Sequence, residues 1–320
     1  MLRTWSAIRR NDPERGAASL VGESRLTRLF AILGPTASGK SEVALELAAR
    51  RHAPILTVDS MQVYRGLDIG TAKPAAEEQA RVPHFMIDLV EPEADYSVAQ
   101  FQTTARQLID RHDELFIVGG SGLHFRSVVD PLEFPPSDAE LRQRLEEIAD
   151  PVAALVGADP KASQVVDIHN PRRVIRALEI LHLTGQSPTT RSRQPHRSEV
   201  GRYQPRYPFC AIGLDPGPEI GDRIEARVEA MMEAGLWEEV RRLRPRLGRT
   251  ARGAVGYRQL LKAIDGEITP EDGWELTKRA TLGLARRQRT YFRRDPRIQW
   301  LPWEASLVRR VEAASKALGL

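Results

Sequence analysis

Residues 29–48 read LFAILGPTASGKSEVALELA, an apolar run that ends in a glycine-rich turn and passes straight into a helical pattern. Leu29 to Leu33 is short and uninterrupted, as expected of a strand covered on both faces. Val43, Ala44, Leu47 and Ala48 then recur at helical spacing. The turn between them, Gly34, Pro35, Thr36, Ala37, Ser38, Gly39, Lys40 and Ser41, fits the phosphate-loop pattern G-x-x-x-x-G-K-[ST]. Backbone N–H groups at the start of the helix surround phosphate oxygens in such a loop, the lysine adds a point charge, and the Ser41 hydroxyl can hold Mg2+. Strand, loop and helix together predict a parallel α/β core that binds a di- or triphosphate; they do not choose a reaction.

The same architecture extends outward from this stretch. Ile55–Val58, Phe85–Leu89, Leu115–Val118 and Phe209–Leu214 are further short apolar runs, several of them separated by helical patterns. Ser97 is the expected N-cap of one such helix, with Val98, Phe101, Leu108 and Ile109 on one face. Alternation of this kind predicts a phosphate-loop, NTPase-like parallel sheet with helices on both faces. From residue 131 to 187 the pattern becomes helical only. It opens on Phe134-Pro135-Pro136, with Ser137 and Glu140 at capping-box spacing, and continues at Asn170-Pro171, a cap and a first-turn proline. The expected organisation is a poorly ordered tail over 1–28, a core over 29–130 and 188–320, and an inserted helical module over 131–187. Thr269-Pro270 opens a long basic helix within the second part of the core.

Composition narrows the function classes. Of 320 residues 41% are hydrophobic and 28% charged, ordinary values for a chain that buries a core. No stretch approaches the roughly 20 apolar residues that span a bilayer, and MLRTWSAIRRNDPERG at the start has no apolar leader core. A lone cysteine, Cys210, excludes an internal disulfide and argues against thiolate metal clusters, so a cytoplasmic protein is expected. The formal charge is +4 and the pI 9.4. Arginine is concentrated: eight lie between Pro171 and Arg206 against Glu179 and Glu199, and eight basic residues lie between Lys278 and Arg297 against Asp295. Two basic patches suited to an anionic partner follow from this distribution.

Two more strand ends carry chemistry. Val58-Asp59-Ser60 puts a carboxylate at the carboxyl edge of the sheet, where doubly wound folds bind ligands. From spacing alone Asp59 is equally a reacting group, a group that orients a magnesium ligand, or a helix cap. Gly119-Gly120-Ser121-Gly122 follows another strand, and its glycines let backbone approach a ligand. No acid ends that strand, which disfavours a machine that hydrolyses nucleoside triphosphates.

GPTASGKS from Gly34, VDSMQVYRGLDIGTAKP from Val58, VGGSGLHF from Val118, HNPRRVIRALEI from His169, RIEARVEAMMEAGLWEEV from Arg223, AVGYRQL from Ala254 and RRQRTYFRRD from Arg286 together resemble the tRNA dimethylallyltransferase (tRNA isopentenyltransferase) family. The resemblance runs from about Leu29 to Trp300. It implies transfer of a five-carbon prenyl group from dimethylallyl diphosphate to the exocyclic amine of the adenine just 3′ of the tRNA anticodon, with Mg2+; a monomer is the expected state. The phosphate loop then holds a leaving group, the family's base maps onto Asp59, its diphosphate arginine onto Arg223, and its amine-placing hydroxyl, commonly threonine, onto Ser121. Stretches that touch the tRNA anticodon stem-loop map onto Asp59, Ser60, Met61 and Gln62, onto Arg142, onto Arg172, Arg173 and Arg176, and onto Gly253, Gly256, Tyr257 and Arg258. Arg172 and Arg176 are four apart on one helical face, away from Val174, Leu178 and Leu181. The chain departs from the family where His124 replaces tyrosine, where Gly217 replaces an arginine that Arg286 or Arg287 would offset, and where Thr281-Leu282 replaces Thr-Arg. A small-molecule or nucleoside kinase using the same loop, and an NTP-gated RNA-binding protein, are the rival readings.

Overall fold

A computed structural model of the chain describes residues 27–194 and 200–320. The expected tail therefore lies outside the described residues except for Thr27 and Arg28, as do Arg197 and Glu199 of the first basic stretch. The described chain forms two compact units, one of residues 27–128 with Tyr207–Leu320, the other of Val129–Arg206.

The first unit is built on six parallel strands: β1 (Arg28–Leu33), β2 (Ile55–Thr57), β3 (His84–Phe85), β4 (Glu114–Gly119), β5 (Phe209–Gly213) and β6 (Ile298–Trp300), in the order β3-β2-β4-β1-β5-β6. β1 sits inside the sheet, in register with β4 from Arg28↔Glu114 to Leu33↔Gly119 and with β5 from Leu29↔Phe209 to Leu33↔Gly213. Phe30 and Ile32 point to one face, where helix α1 (Lys40–Arg51) buries Val43, Ala44, Leu47 and Ala48 against them. Each buried valine or leucine of that stripe is worth about 1.5–3 kcal/mol. The last helix on that face, which starts at Leu307, adds Val311, Ala314 and Leu318. The opposite face is closed by α3 (Val98–Ile109), through Phe101, Ala105 and Ile109, and by α4 (Gly122–Val129), whose Phe125 meets Phe209 and Phe292 edge-on. Between β2 and α3 lies the short helix α2 (Ala76–Arg81).

Local rules account for most boundaries. Ser97 caps α3, its hydroxyl accepting from Gln100 N–H while the Gln100 side chain accepts from Ser97 N–H. β3 is His84–Phe85 and takes only Phe85 from the expected run Phe85–Leu89, because Met86 and Asp88 adopt left-handed backbone conformations, φ 66° and 52°, that no ladder accommodates. β6, absent from the sequence reading, has one buried position in three and no apolar run to announce it.

The second unit holds α5 (Ala139–Glu146), α6 (Pro151–Ala158), α7 (Pro171–Thr184) and α8 (Pro188–Ser192), packed through Leu145, Leu155, Val174, Ile175 and Leu178. Asn170 caps α7 by accepting from Arg173 N–H, with Pro171 in the first turn. The cap of α5 is Asp138, not Ser137: Asp138 Oδ1 accepts from Leu141 N–H, and the Asp138 N–H is taken by Glu179. Asp159 ties α8 to this unit by accepting from both the N–H and the hydroxyl of Thr189. The compact unit thus runs on past residue 187 to Arg206.

The first unit resumes with α9 (Ile220–Glu233), α10 (Leu236–Leu243), α11 (Arg249–Arg252), α12 (Tyr257–Ile264), α13 (Pro270–Phe292) and α14 (Leu307–Leu318). Thr269 caps α13, accepting from Asp272 N–H, again with a first-turn proline. No helix among the described residues is long and apolar enough to cross a membrane.

Candidate active site

Parallel pairing aligns the ends of β1, β4 and β2 along one edge of the sheet, so that the turn after Leu33, the Gly120-Ser121 corner and Asp59 stand side by side. Gly119 is required there, since a Cβ would lie 2.4 Å from the carbonyl oxygen of Val58. The phosphate loop takes left-handed conformations at Ala37 (φ 61°) and Gly39 (φ 74°), and Gly39 hands the chain to α1. A non-glycine residue in that region is a local strain of about 1–3 kcal/mol, held by its surroundings.

A cavity of about 640 Å³ opens over this edge, lined by Thr36, Lys40, Ser41, Asp59 and Ser121 together with Arg227 and the apolar Val228, Met231, Leu236 and Leu284. Ser60, Met61, Gln62, Gly253 and Gly256 line it as well. A second cavity of about 390 Å³ lies over Ala37 to Glu42, with Arg223 and Arg227 on its wall. Lys40 Nζ donates to Pro35 O at 3.1 Å. Burial, then the charge of Arg227, lowers the Lys40 pKa to about 8, with Asp59 pulling the other way. Asp59 Oδ1 accepts from Met61 N–H at 2.8 Å, which fixes the carboxylate at the strand end. Burial also lowers the pKa of Arg227, offset by Asp59. Ser121 N–H donates to Val58 O, and its hydroxyl lies 2.8 Å from His124 Nδ1.

C-terminal elements hold the loop from behind. Arg223 Nε donates to Ala37 O at 2.7 Å. Gln288 of α13 reaches the loop from the other side, its Oε1 accepting from Thr36 N–H at 2.8 Å. Arg223 and Arg310 each lie 4.9 Å from the ring centroid of Trp303, and Arg310, buried on α14, pairs with Glu42 at 3.1 Å. In α10, the buried Glu239 carboxylate accepts from the N–H groups of Asp68, Ile69 and Gly70 and from the Tyr257 hydroxyl, seating a loop of the cavity wall. Burial, reinforced by Glu239, drives the Tyr257 pKa far up, so this phenol stays protonated.

The expected site residues divide accordingly. The loop, Asp59, Ser121 and Arg223 gather around the two cavities, and Gln62, largely buried, spends its amide on Thr71 O and Ala72 O. Tyr257 is fully buried, and Arg258 beside it is exposed. Arg142, Arg172, Arg173 and Arg176 belong to the second unit. There Arg142 and Arg176 both grip the buried Glu179, and Arg176 also donates to the carbonyls of Pro135 and Pro136. Arg173 lies 3.6 Å from Asp167, and Arg172 is exposed. Of Arg286 and Arg287, offered to offset Gly217, Arg287 lines the larger cavity; Arg289, not among them, donates to Asp215 and to Gly217 O. Sequence reasoning missed Arg227, Gln288, Glu239 and Arg310. Arg227 was within reach, four residues after Arg223 on one helix face; nothing local marks the other three. Among the described residues no group of three or more His, Cys, Asp or Glu is arranged to hold a metal ion.

Known proteins match this chain over most of its length. The IPP transferase family model matches residues 62–295, and the isopentenyl transferase model residues 27–91. The tRNA dimethylallyltransferase of Bifidobacterium longum is 43% identical over 86% of this chain and 86% of its own length. That of Streptomyces avermitilis is 44% identical over 87% of this chain and 91% of its own. The crystal structure of the full-length tRNA isopentenylpyrophosphate transferase of Bacillus halodurans superposes with a TM-score of 0.65 at 35% identity, covering 91% of this chain and 97% of that one. The family model covers most of the chain and the relatives match along nearly all of it, so the chain belongs to the IPP transferase family of prenyl-transferring enzymes.

Proposed function

We propose that the protein transfers a dimethylallyl group from dimethylallyl diphosphate to the exocyclic N6 amine of the adenine just 3′ of the anticodon in tRNA, as a cytoplasmic monomer. One observation carries the reading: Asp59 and Lys40 face the same cavity, and that cavity has both an apolar wall and a phosphate loop. An adenine amine is a weak nucleophile because its lone pair is delocalised, so a base must take a proton as the C–N bond forms. Asp59, held at the strand end by Met61 N–H, is that base. The C–O bond to the diphosphate breaks and its electron pair leaves on oxygen. Charge therefore grows on the leaving group, where loop N–H groups, Lys40, Arg223 and Arg227 stabilise the transition state more than the ground state. Ser121 orients the amine, and the apolar residues Val228, Met231 and Leu284 suit the five-carbon chain.

Mg2+ fits this donor set only as a substrate-borne ion. Ser41 offers one hydroxyl at the head of α1, the described residues hold no three-ligand cluster, and Mg2+ commonly binds through one or two protein groups plus phosphate oxygens. Bound there it would add positive charge next to the departing diphosphate. Ser60, Met61, Gln62, Gly253, Gly256, Tyr257 and Arg258 are assigned to the RNA side, with Tyr257 acting through the loop it helps to seat. Arg142, Arg172, Arg173 and Arg176 are assigned to the anticodon stem. The decisive experiment is mass analysis of tRNA incubated with the protein, dimethylallyl diphosphate and Mg2+. One added prenyl mass per tRNA is expected; unaltered tRNA together with γ-phosphate transfer from ATP would replace this reading with a kinase.

A further inference from the structure

Ser121 and His124 stand one helical turn apart at the head of α4, hydroxyl to Nδ1 at 2.8 Å. The imidazole is fixed in place by an edge-on contact with Phe101 of α3, ring centroids 4.6 Å apart. Burial lowers the His124 pKa below the ordinary imidazole range, and the Asp59 carboxylate at the end of β2 draws it partly back. Lys40 and Arg227 interact with Asp59 from α1 and α9. Arg106 of α3 donates to the carbonyls of Ser127 and Val128 further along α4. The ring is therefore neutral near pH 7, and a neutral imidazole has one nitrogen that donates and one that accepts.

We infer that His124 is a positioning residue for the transfer step: its Nδ1 accepts the Ser121 hydroxyl proton and leaves Ser121 facing the substrate amine as an acceptor only. The inference rests on the prenyl-transfer reading given above and says how Ser121 carries out its part. The attacking amine has two N–H groups and one lone pair. Asp59 takes the proton of one N–H, and Ser121 Oγ accepts a hydrogen bond from the other. The lone pair is then free to form the C–N bond while the C–O bond breaks and its electrons leave on diphosphate. Protonation of His124 reverses the contact. Nδ1–H then donates to Ser121 Oγ, the serine proton turns toward the amine, and it competes for the lone pair that must attack carbon.

The test compares wild type, Ser121→Ala, His124→Phe, His124→Asn and the Ser121→Ala/His124→Phe pair, measuring kcat, both KM values and the pH profile of kcat. His124→Phe is expected to lower kcat about tenfold, one neutral hydrogen bond's worth of orientation, with both KM values within about twofold of wild type. His124→Asn, whose amide oxygen accepts where Nδ1 did and does not titrate, is expected to recover most of that kcat and to lose the imidazole's share of the acid limb. The double variant should be no slower than Ser121→Ala, since one acts through the other. Additive losses, a wild-type pH profile in His124→Phe, or equal damage in the Phe and Asn variants would overturn the inference with prenyl transfer intact. A wild-type enzyme that prenylates no tRNA would instead remove the reading beneath it.

Discussion

Lys40 carries a charge that its surroundings weaken, because it is buried beside Arg227 and has one carboxylate, Asp59, to offset that. With a folded pKa of about 8 against 10.5 in the unfolded chain, the folded protein has shed this proton between those values while the unfolded chain keeps it. From this group alone stability rises with pH across that window, since the unfolded state binds more protons there. Ligand binding runs the other way. A diphosphate in the loop restores the lysine's charge, so above about pH 8 its binding takes up a proton and weakens as pH rises. Calorimetry of diphosphate binding in buffers of different ionisation enthalpy should show that uptake in wild type and not in Lys40→Met; equal uptake in both would reassign the proton. Asp59 gives a second residue-scale expectation: Asp59→Ala cuts turnover about 10²–10⁴-fold while tRNA binding persists, and near-normal turnover would end its assignment as base. Both residues are legible in the sequence because each sits at a fixed offset from a strand end. Gln288 is not, because its role depends on where a distant helix lands.

At the scale of one element, α7 shows a helix face that its spacing announces and ion-pair partners that its spacing does not. Asn170, Pro171 and the Val174, Leu178 spacing announce the helix, and its buried face follows. Glu179 is invisible to that logic. It is completely buried, and its partners Arg142, Arg176 and the Asp138 N–H come from its own helix and from residues about forty positions earlier. Burial pushes the Glu179 pKa up, but the hydrogen bonds from Arg176, Asp138 and Arg142 outweigh it and leave the pKa below the ordinary value. Its stabilisation is therefore complete above the ordinary carboxylate range and is lost as pH falls through the depressed folded value. The arginines consequently separate by role. Arg172→Ala with Arg173→Ala should weaken tRNA binding and reduce the slope of log affinity against log salt by about one per residue. Arg176→Ala, which also releases the buried Glu179, should in addition destabilise the second unit by about 1–3 kcal/mol, seen as an earlier melt. An unchanged salt slope in the first pair would make those two side chains ordinary solvated groups.

Across the whole molecule, the parallel sheet and the phosphate loop at the end of its inner strand were legible from residues 29–48, because both depend on local periodicity and on a turn of fixed chemistry. β6 was not legible: a three-residue strand between Arg297 and Leu301 is set by the neighbour it pairs with, Ala211 to Gly213, and not by its own pattern. The grip of α13 on the loop has a measurable cost if released. Gln288→Ala should raise KM for dimethylallyl diphosphate several-fold with an unaltered melting curve, consistent with loss of about one neutral hydrogen bond to the loop backbone; an unchanged KM would mean the loop is rigid without it.

That grip also orders events in time. During synthesis the segment carrying Gly34 to Ser41 emerges well before the side chains that brace it, Arg223 and Gln288, which lie about 180 and 250 residues later. A product that stops before Arg223 can thus display the full loop signature while lacking the side chains that brace it from behind.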